Sequence, residues 1–333
     1  MFISGMFLKV FKHYEKMFIM KFTKYLFIIG ILLFVFIIWN TGLSEIANSL
    51  RSFNLFFACL VMATMLIVIF LKTLKQNVLL TIFDAKISLY DGAKIWLIGY
   101  FLSVITPGKS GDFLRTPYLA DKTKKSVDNC FVVVTIERIL DVAYLFIAGI
   151  FGLILFSSYF GLGLDSILTL ISVFILFIVM LFIFTNKKYT ELFARPLFYF
   201  FVHDKFKSKL KLGFNAFYNS LEIAKKNKKK LSYAFVLTVI SWFVVILQYY
   251  LIARGLNLEF SYFFLLLIMP IVLLVEALPI SISGIGTRDV ALIFFLAFEN
   301  ILAPAAISFS ISILVANYVM AFCGMLFLKQ FKS

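Results

Sequence analysis

Two short segments rich in glycine and charge interrupt an otherwise apolar sequence, and their residue types are suited to binding an anion. The first reads PGKSGDFLR at 107–115, and the second reads PISISGIGTRD at 279–289. Proline and glycine mark the expected backbone breaks at Pro107, Gly108, Gly111, Pro279, Gly284 and Gly286. Broken backbone at membrane depth is tolerated only where it is buried in protein or lines a cavity, so each segment is a candidate site.

The charged side chains of these two breaks suggest a phosphate ligand. Arg115 offers a planar fork of donors and Lys109 a compact charge, and Arg288 provides the same chemistry in the second break. Asp112 and Asp289 accompany the arginines, so each arginine can alternatively form a local ion pair. We take all five as candidate substrate-binding residues.

A third charged group, ERILD at 137–141, lies inside an apolar stretch. Helical spacing places Glu137 and Asp141 on one face and lets Arg138 reach Asp141. Each charge at the centre of a membrane helix costs roughly 2.5–3.5 kcal/mol, so these charges must pair or face a polar cavity. They either contribute to the site or form an ion-paired lock between helices. Glu276, in apolar sequence, is either a counter-ion or a proton carrier.

Composition predicts that membrane helices position these residues. The chain has 333 residues, of which 62% are hydrophobic, and its mean hydropathy is +1.01. A soluble domain has an apolar share of roughly 45–50%. Three cysteines without a C-x-x-C pattern and two histidines among lysines predict no metal, no cofactor and no histidine-based catalysis. The expected class is an all-α polytopic membrane protein.

Hydropathy predicts about six spanning helices, because crossing a bilayer takes about 20 apolar residues. They lie at 25–40, 55–71, 130–157, 166–185, 231–253 and 304–328. Lysine and arginine gather in the N-terminal tail, in segment 186–230 and at the C-terminus. Because cytoplasmic loops carry the excess of these residues, both termini are predicted to be cytoplasmic in the cell membrane.

Two remaining stretches, 76–115 and 260–298, each contain apolar sequence on both sides of a break. To keep both termini on one side, each stretch must begin and end on the same side. The prediction is therefore two re-entrant helical hairpins in inverted repeats, one in each half, 1–185 and 231–333, of a single membrane domain. A plain arrangement of eight spanning helices is the alternative.

Segment 186–230 carries much of the net charge of +15 and interleaves lysines with apolar residues. This pattern is typical of a cationic amphipathic segment on an anionic lipid surface, although the lysines alternatively serve only to set topology. Nucleic acid is not expected as a partner, because no stacking surface or soluble fold accompanies the charge. The sequence leaves the oligomeric state open, a homo-oligomer included.

The ordered motifs at 107–115, 137–141 and 279–289 resemble the flippase-like membrane family found as the N-terminal region of lysylphosphatidylglycerol synthases. The resemblance covers most of the chain in layout. It implies a domain that binds or translocates phospholipid or polyprenyl-phosphate-linked lipid. It implies no aminoacyl transfer, because that activity belongs to a separate soluble domain of the synthases.

The leading functional hypothesis is a lipid translocase without enzymatic activity. Arg115, Lys109 and Arg288 would hold the headgroup phosphate while the carboxylates balance charge. The chain has no G-x-x-x-x-G-K-[ST] nucleotide-binding loop. The alternatives are a membrane glycosyl- or phosphotransferase with a lipid-linked donor, and a non-transporting subunit of an envelope-biosynthesis complex.

Overall fold

The structure is a computed structural model that describes residues 43–51, 53–161, 186–192, 204–277 and 283–328, together with residue 281 and isolated positions between 168 and 183. The described part is helical and contains no strand. The predicted span 25–40 lies outside the described residues, and so does most of the predicted span 166–185. The predicted break at Pro279 also lies outside them.

We number ten α-helices of the described part in chain order. They are α1 Leu43–Arg51, α2 Leu55–Leu80, α3 Leu89–Val104, α4 Thr116–Thr123, α5 Val127–Phe160, α6 Asp204–Lys226, α7 Lys228–Gly255, α8 Tyr262–Ala277, α9 Thr287–Leu296 and α10 Ala303–Leu328. Three 3-10 segments accompany them at Thr81–Phe83, Pro107–Arg115 and Ala297–Glu299.

Four helices in the described part are long and apolar enough to cross a membrane. They are Leu55–Phe83 with 29 residues, Val127–Phe160 with 34, Lys228–Gly255 with 28 and Ala303–Leu328 with 26. Each contains one of the predicted spans 55–71, 130–157, 231–253 and 304–328, which confirms those four predictions and the class of polytopic helical membrane protein.

Helix α2 runs nine residues beyond the predicted end of its span. The polar residues Lys72, Lys75 and Gln76 ended the hydropathy signal, but all three are buried against other helices and the backbone stays helical. The predicted hairpin boundary at residue 76 is therefore wrong. The first interrupted unit consists instead of α3, the 3-10 break at 107–115 and α4.

Short helices flank each break. Helices α3 and α8 have 16 residues each, or about 24 Å at 1.5 Å per residue, which is less than a hydrocarbon core of about 30 Å. Helix α9 has 10 residues and α4 has 8. These lengths favour paired interrupted hairpins over eight full crossings. That the hairpins re-enter the membrane stays a prediction.

The two halves share one order of elements and one pattern of contacts. Long helix, short helix, break, short helix and long helix occur as α2 to α5 and again as α7 to α10. Helix α2 packs on α7, while α3 packs on α10 and α8 packs on α5. In this order α3 corresponds to α8 and α10 corresponds to α5, so exchanging the halves converts the α3–α10 pair into the α8–α5 pair. This exchange is what two related repeats require.

Close backbone approach occurs at equivalent places in those two pairs. A Cβ atom on Gly152 of α5 would overlap the carbonyl of Leu267 in α8, and a Cβ atom on Gly324 of α10 would overlap the carbonyl of Leu97 in α3. Small residues let membrane helices pack backbone to backbone. Each half thus places a glycine of its last long helix against a leucine of the other half's short helix.

Helix α6 lies in the basic segment 186–230, and its apolar face is covered by protein. Tyr218, Leu221 and Ala224 are buried in a cluster that includes Val132 and Val133 of α5. The apolar residues at 193–201, which carry most of the predicted lipid-facing pattern, lie outside the described residues, so contact of segment 186–230 with a lipid surface stays a prediction. An apolar stripe can bury against a neighbouring helix as well as against acyl chains. Attraction of its lysines to anionic lipid stays a prediction.

Candidate functional site

The first break presents a buried arginine to two helices. Arg115, at the end of the 3-10 segment, is buried. Its Nη1 donates to Gln76 Oε1 of α2 at 2.6 Å, and its Nη2 forms an ion pair with Glu137 of α5. Its Nε also lies 3.2 Å from Asp112 Oδ1, three residues earlier in the break. The guanidinium therefore joins the break to α2 and α5.

Asp112 lies between two arginines. Arg138 Nε of α5 donates to Asp112 Oδ2 at 2.8 Å, and Arg115 Nη2 donates to the same oxygen at 3.3 Å. The spacing of three residues puts Asp112 and Arg115 on one side of the helical turn. Gly99 of α3 provides the room, because a Cβ atom there would lie 2.6 Å from Asp112 Oδ1. Arg138 thus bonds across to the break and not, as the spacing had predicted, to Asp141 of its own helix.

Asp141 is the meeting point of α2, α5 and α7. Its Oδ1 accepts from Lys72 Nζ and Lys75 Nζ, both at 2.8 Å, and from Trp242 Nε1 at 3.2 Å. The two lysines lie three residues apart on one face of α2, next to Gln76.

Sequence reasoning missed Lys72, Lys75, Gln76 and Trp242. A signal for the first three was present, because they are polar residues at helical spacing directly after an apolar run. Along the sequence, this polar group marks the end of the span. Trp242 carries no comparable signal, since a tryptophan in an apolar helix is ordinary.

The second break also holds a buried arginine, but mostly through neutral oxygens. Arg288 Nε donates to Ser310 Oγ at 2.8 Å, and its Nη2 donates to the Ser310 carbonyl at 3.1 Å. The nearest carboxylate, Glu276 of α8, lies 3.6 Å from Nη1. At that distance neither Nη1 nor Glu276 Oε2 has a hydrogen-bond partner among the described residues.

Glycine and aspartate shape the start of α9. Gly284 and Gly286 have φ angles of 75° and 85°, which L-residues with side chains rarely adopt. Asp289 Oδ2 accepts from the backbone N–H of Gly286 at 2.7 Å and so caps the helix. The structure therefore gives Asp289 a role as a helix cap, and its contact with substrate stays a prediction.

The two breaks meet each other. Lys109 Nζ of the first break lies 3.0 Å from Glu276 Oε1, and Ser283 Oγ of the second break donates to the Val104 carbonyl at the end of α3 at 2.6 Å. Glu276 lies within ion-pair distance of both Lys109 and Arg288. Helices far apart in sequence thus place the predicted motifs side by side.

Accessibility differs among the cations of this network. The side chains of Lys109 and Arg138 are 32% and 29% exposed, whereas those of Arg115 and Arg288 are 1% exposed. An anion approaching from outside would therefore meet Lys109 and Arg138 first.

The structure brings together most of the predicted site residues. Eight of them form ion pairs, in three sets: Arg115 and Arg138 with Asp112 and Glu137, Asp141 with two lysines of α2, and Lys109 and Arg288 with Glu276. We call these three sets together the network. Pro107 and Gly108 begin the 3-10 break. Gly111 packs on α3, and its N–H donates to Thr106 Oγ1 at 2.7 Å, so that amide is not available to an anion. In the described part, no cluster of three or more His, Cys, Asp or Glu side chains is arranged to hold a metal ion.

The fold and this buried network define an integral, polytopic α-helical membrane protein with a charged centre at two meeting backbone breaks. The chain belongs to the family described as the lysylphosphatidylglycerol synthase TM region, whose model matches residues 24–324. The resemblance inferred from the three motifs is thereby confirmed. Membership of this family gives the protein a membrane role connected with lipids.

Two relatives extend over most of the chain. A UPF0104 membrane protein of Methanocaldococcus jannaschii is 24% identical over 325 residues, covering 92% of this chain and 93% of the relative. A UPF0104 membrane protein of Methanothermobacter thermautotrophicus is 21% identical over 291 residues, covering 83% and 85%. No solved structure gave a significant match.

Proposed function

We propose that the protein binds a lipid through its phosphate headgroup at the junction of the two breaks and moves it across the membrane without chemical change. The observation that carries this proposal is the Lys109–Glu276 ion pair of 3.0 Å, which joins the breaks of opposite halves. A substrate that competes for Lys109 would act directly on the contact between the halves.

The exchange of partners at Glu276 supports such a mechanism. A phosphate oxygen can replace the carboxylate on Lys109, because both are anions that accept from an ammonium group. Glu276 would then be free to close on Arg288, whose Nη1 lies 3.6 Å away and has no hydrogen-bond partner among the described residues. Binding would thus break one link between the halves and strengthen one within the second half.

The lipid tails need no polar path, because they can stay in the bilayer while only the headgroup enters the charged centre. Arg138, which is 29% exposed, would give the phosphate a second cation beside Lys109. The buried Arg115 would keep the ion pairs that hold the first break, and the buried Lys75 would keep its ion pair with Asp141 between α2 and α5.

The ion pairing of the carboxylates favours translocation over a transferase reaction. Asp112, Glu137, Asp141 and Glu276 each lie within 4.0 Å of a lysine or arginine. General acid–base catalysis needs a carboxyl group free to exchange a proton near neutral pH. Carboxylates held by cations serve better as counter-ions. The proposed location is the cell membrane with both termini cytoplasmic.

Lipid movement in sealed proteoliposomes tests this function. Fluorescent phosphatidylglycerol is placed in both leaflets and bleached from outside by an impermeant reductant. Wild type should allow bleaching beyond the outer-leaflet fraction. Loss of a charge-assisted hydrogen bond in Lys109→Gln should slow this about tenfold or more, while Lys109→Arg should retain most of it.

Lys124→Gln is the matched control, because Lys124 is 82% exposed and pairs only locally with Asp121. It removes one positive charge and should leave the rate within about twofold. Equal rates in Lys109→Gln and wild type would contradict the proposed headgroup site. No movement by wild type would contradict translocation itself.

A further inference from the structure

A groove of about 850 Å³ lies outside the ion network, between the end of α2 and the start of α7. Its wall is mostly apolar and includes Leu74, Val78, Ile87, Tyr233 and Val236. Tyr233 and Val236 are 59% and 49% exposed, so protein does not cover this wall in the described part of the chain.

Three lysines stand at the end of the groove. Lys230 Nζ donates to the Thr81 carbonyl at 2.6 Å, which satisfies a carbonyl near the end of α2. Lys86 and Lys229 are exposed, and neither has a hydrogen bond or ion pair with any described residue. None of the groove's described lining residues is acidic. The groove therefore combines an apolar wall with unneutralised positive charge at one end.

We propose that this groove holds an anionic phospholipid, with the phosphate at Lys86 and Lys229 and an acyl chain along the apolar wall. Both α2 and α7 are long enough to span the membrane, and the groove lies where α2 ends and α7 begins. From Lys229 to Val236 the helix rises about 10 Å, which is enough to lead from the headgroup level into the acyl region. Lysines at this level attract anionic headgroups.

The site is separate from the one proposed for transport. The same two turns of α2 direct Lys72, Lys75 and Gln76 into the buried network and Leu74 and Val78 into the groove. The groove therefore lies behind the network on α2. It would hold a resident lipid even if the protein moved no lipid at all.

Native mass spectrometry of the full chain in detergent tests the proposal. The protein is titrated with phosphatidylglycerol and, separately, with phosphatidylcholine of the same acyl chains. Wild type should bind phosphatidylglycerol more tightly. Lys86→Gln with Lys229→Gln should weaken that binding roughly tenfold or more and leave phosphatidylcholine unaffected.

The matched control is Lys122→Gln with Lys124→Gln. It removes the same charge from residues that pair with Asp91 and Asp121 away from the groove, and it should change binding less than twofold. An equal loss in the control would mean bulk attraction only and would overturn the proposal. Unfolding temperature in detergent is compared for all variants, so that a folding defect is not mistaken for lost binding.

Val236→Trp tests the apolar wall independently of charge. Filling the groove should weaken phosphatidylglycerol binding by a similar factor, and soluble glycerol phosphate should compete poorly because it lacks acyl chains. Effective competition by glycerol phosphate would overturn the lipid assignment in favour of a simple phosphate site. A change in the dimer fraction of Val236→Trp with unchanged lipid binding would overturn it in favour of an interface with a second copy.

Discussion

The two breaks carry the same residue types but use them differently. In the first, Asp112 and Arg115 are three residues apart and form one ion pair that extends to Glu137 and Arg138. In the second, Arg288 and Asp289 are adjacent, so their side chains diverge, and the aspartate caps α9. Spacing decides the role, because neighbours on a helix point about 100° apart whereas residues three apart share a face.

The consequence is an asymmetry in how firmly each break is held. Charged partners from α5 and the amide of Gln76 from α2 hold the first break, while the second depends on Ser310 and a shared Glu276. Glu276 also faces Lys109 of the first break. Under the proposed function, the ion pairing of the second break is the one that a headgroup would rearrange, and the first break would be the fixed side of the junction.

The largest expected effect is a difference in the free energy of unfolding between alanine variants of the two buried arginines. Arg115→Ala leaves Asp112 and Glu137 buried near each other without their shared cation, and should lower the free energy of unfolding by about 3–5 kcal/mol. Arg288→Ala should cost less, since Glu276 keeps Lys109. Denaturant titration in mixed micelles measures both.

Arg254→Ala is the control for these two variants, because Arg254 is exposed near the end of α7. It should change the free energy of unfolding by less than about 0.5 kcal/mol. A cost for Arg288→Ala that equals or exceeds that of Arg115→Ala would contradict the asymmetry between the breaks.

A smaller effect is expected from glycine in the second break. Gly284→Ala must adopt a φ of 75°, and its Cβ atom would lie 2.6 Å from Glu276 Cγ, so the combined cost should be about 2–4 kcal/mol. Gly161→Ala, at φ 71° with no described residue's atom within 4 Å of its Cβ, isolates the backbone part at about 1 kcal/mol. The difference between their unfolding free energies measures the crowding at Glu276. Equal costs would mean that this contact is not tight.

The smallest effect tests the roles of the two aspartates. Asp289→Ala removes a helix cap and should cost about 0.5–2 kcal/mol, whereas Asp289→Asn should retain most of the capping and leave lipid movement unchanged. Asp112→Asn should cost more, because Arg115 and Arg138 would lose a shared charge. Unfolding titrations and the flipping assay together measure these variants. Loss of lipid movement in a well-folded Asp289→Asn would return this residue to the substrate site.

Four spanning helices and the locations of both breaks could be predicted from the sequence, because hydropathy and the effects of proline and glycine on helices are local properties. The end of α2 could not be predicted from the sequence. Lys72, Lys75 and Gln76 look like the edge of a membrane when read along the chain. Only the presence of Asp141 and Arg115 opposite them explains why the helix continues with these residues buried.

The sequence by itself determined the class of protein, the positions of its helix breaks and the charged residues that lie within apolar segments. The tertiary structure alone decided the partners. It placed Lys109 of one half on Glu276 of the other, Trp242 on Asp141, and Asp289 on its own helix start. The physical reason is range: hydropathy and helix breaking act over neighbouring residues, whereas an ion pair at 3.0 Å depends on how α3, α5, α8 and α10 pack around each other.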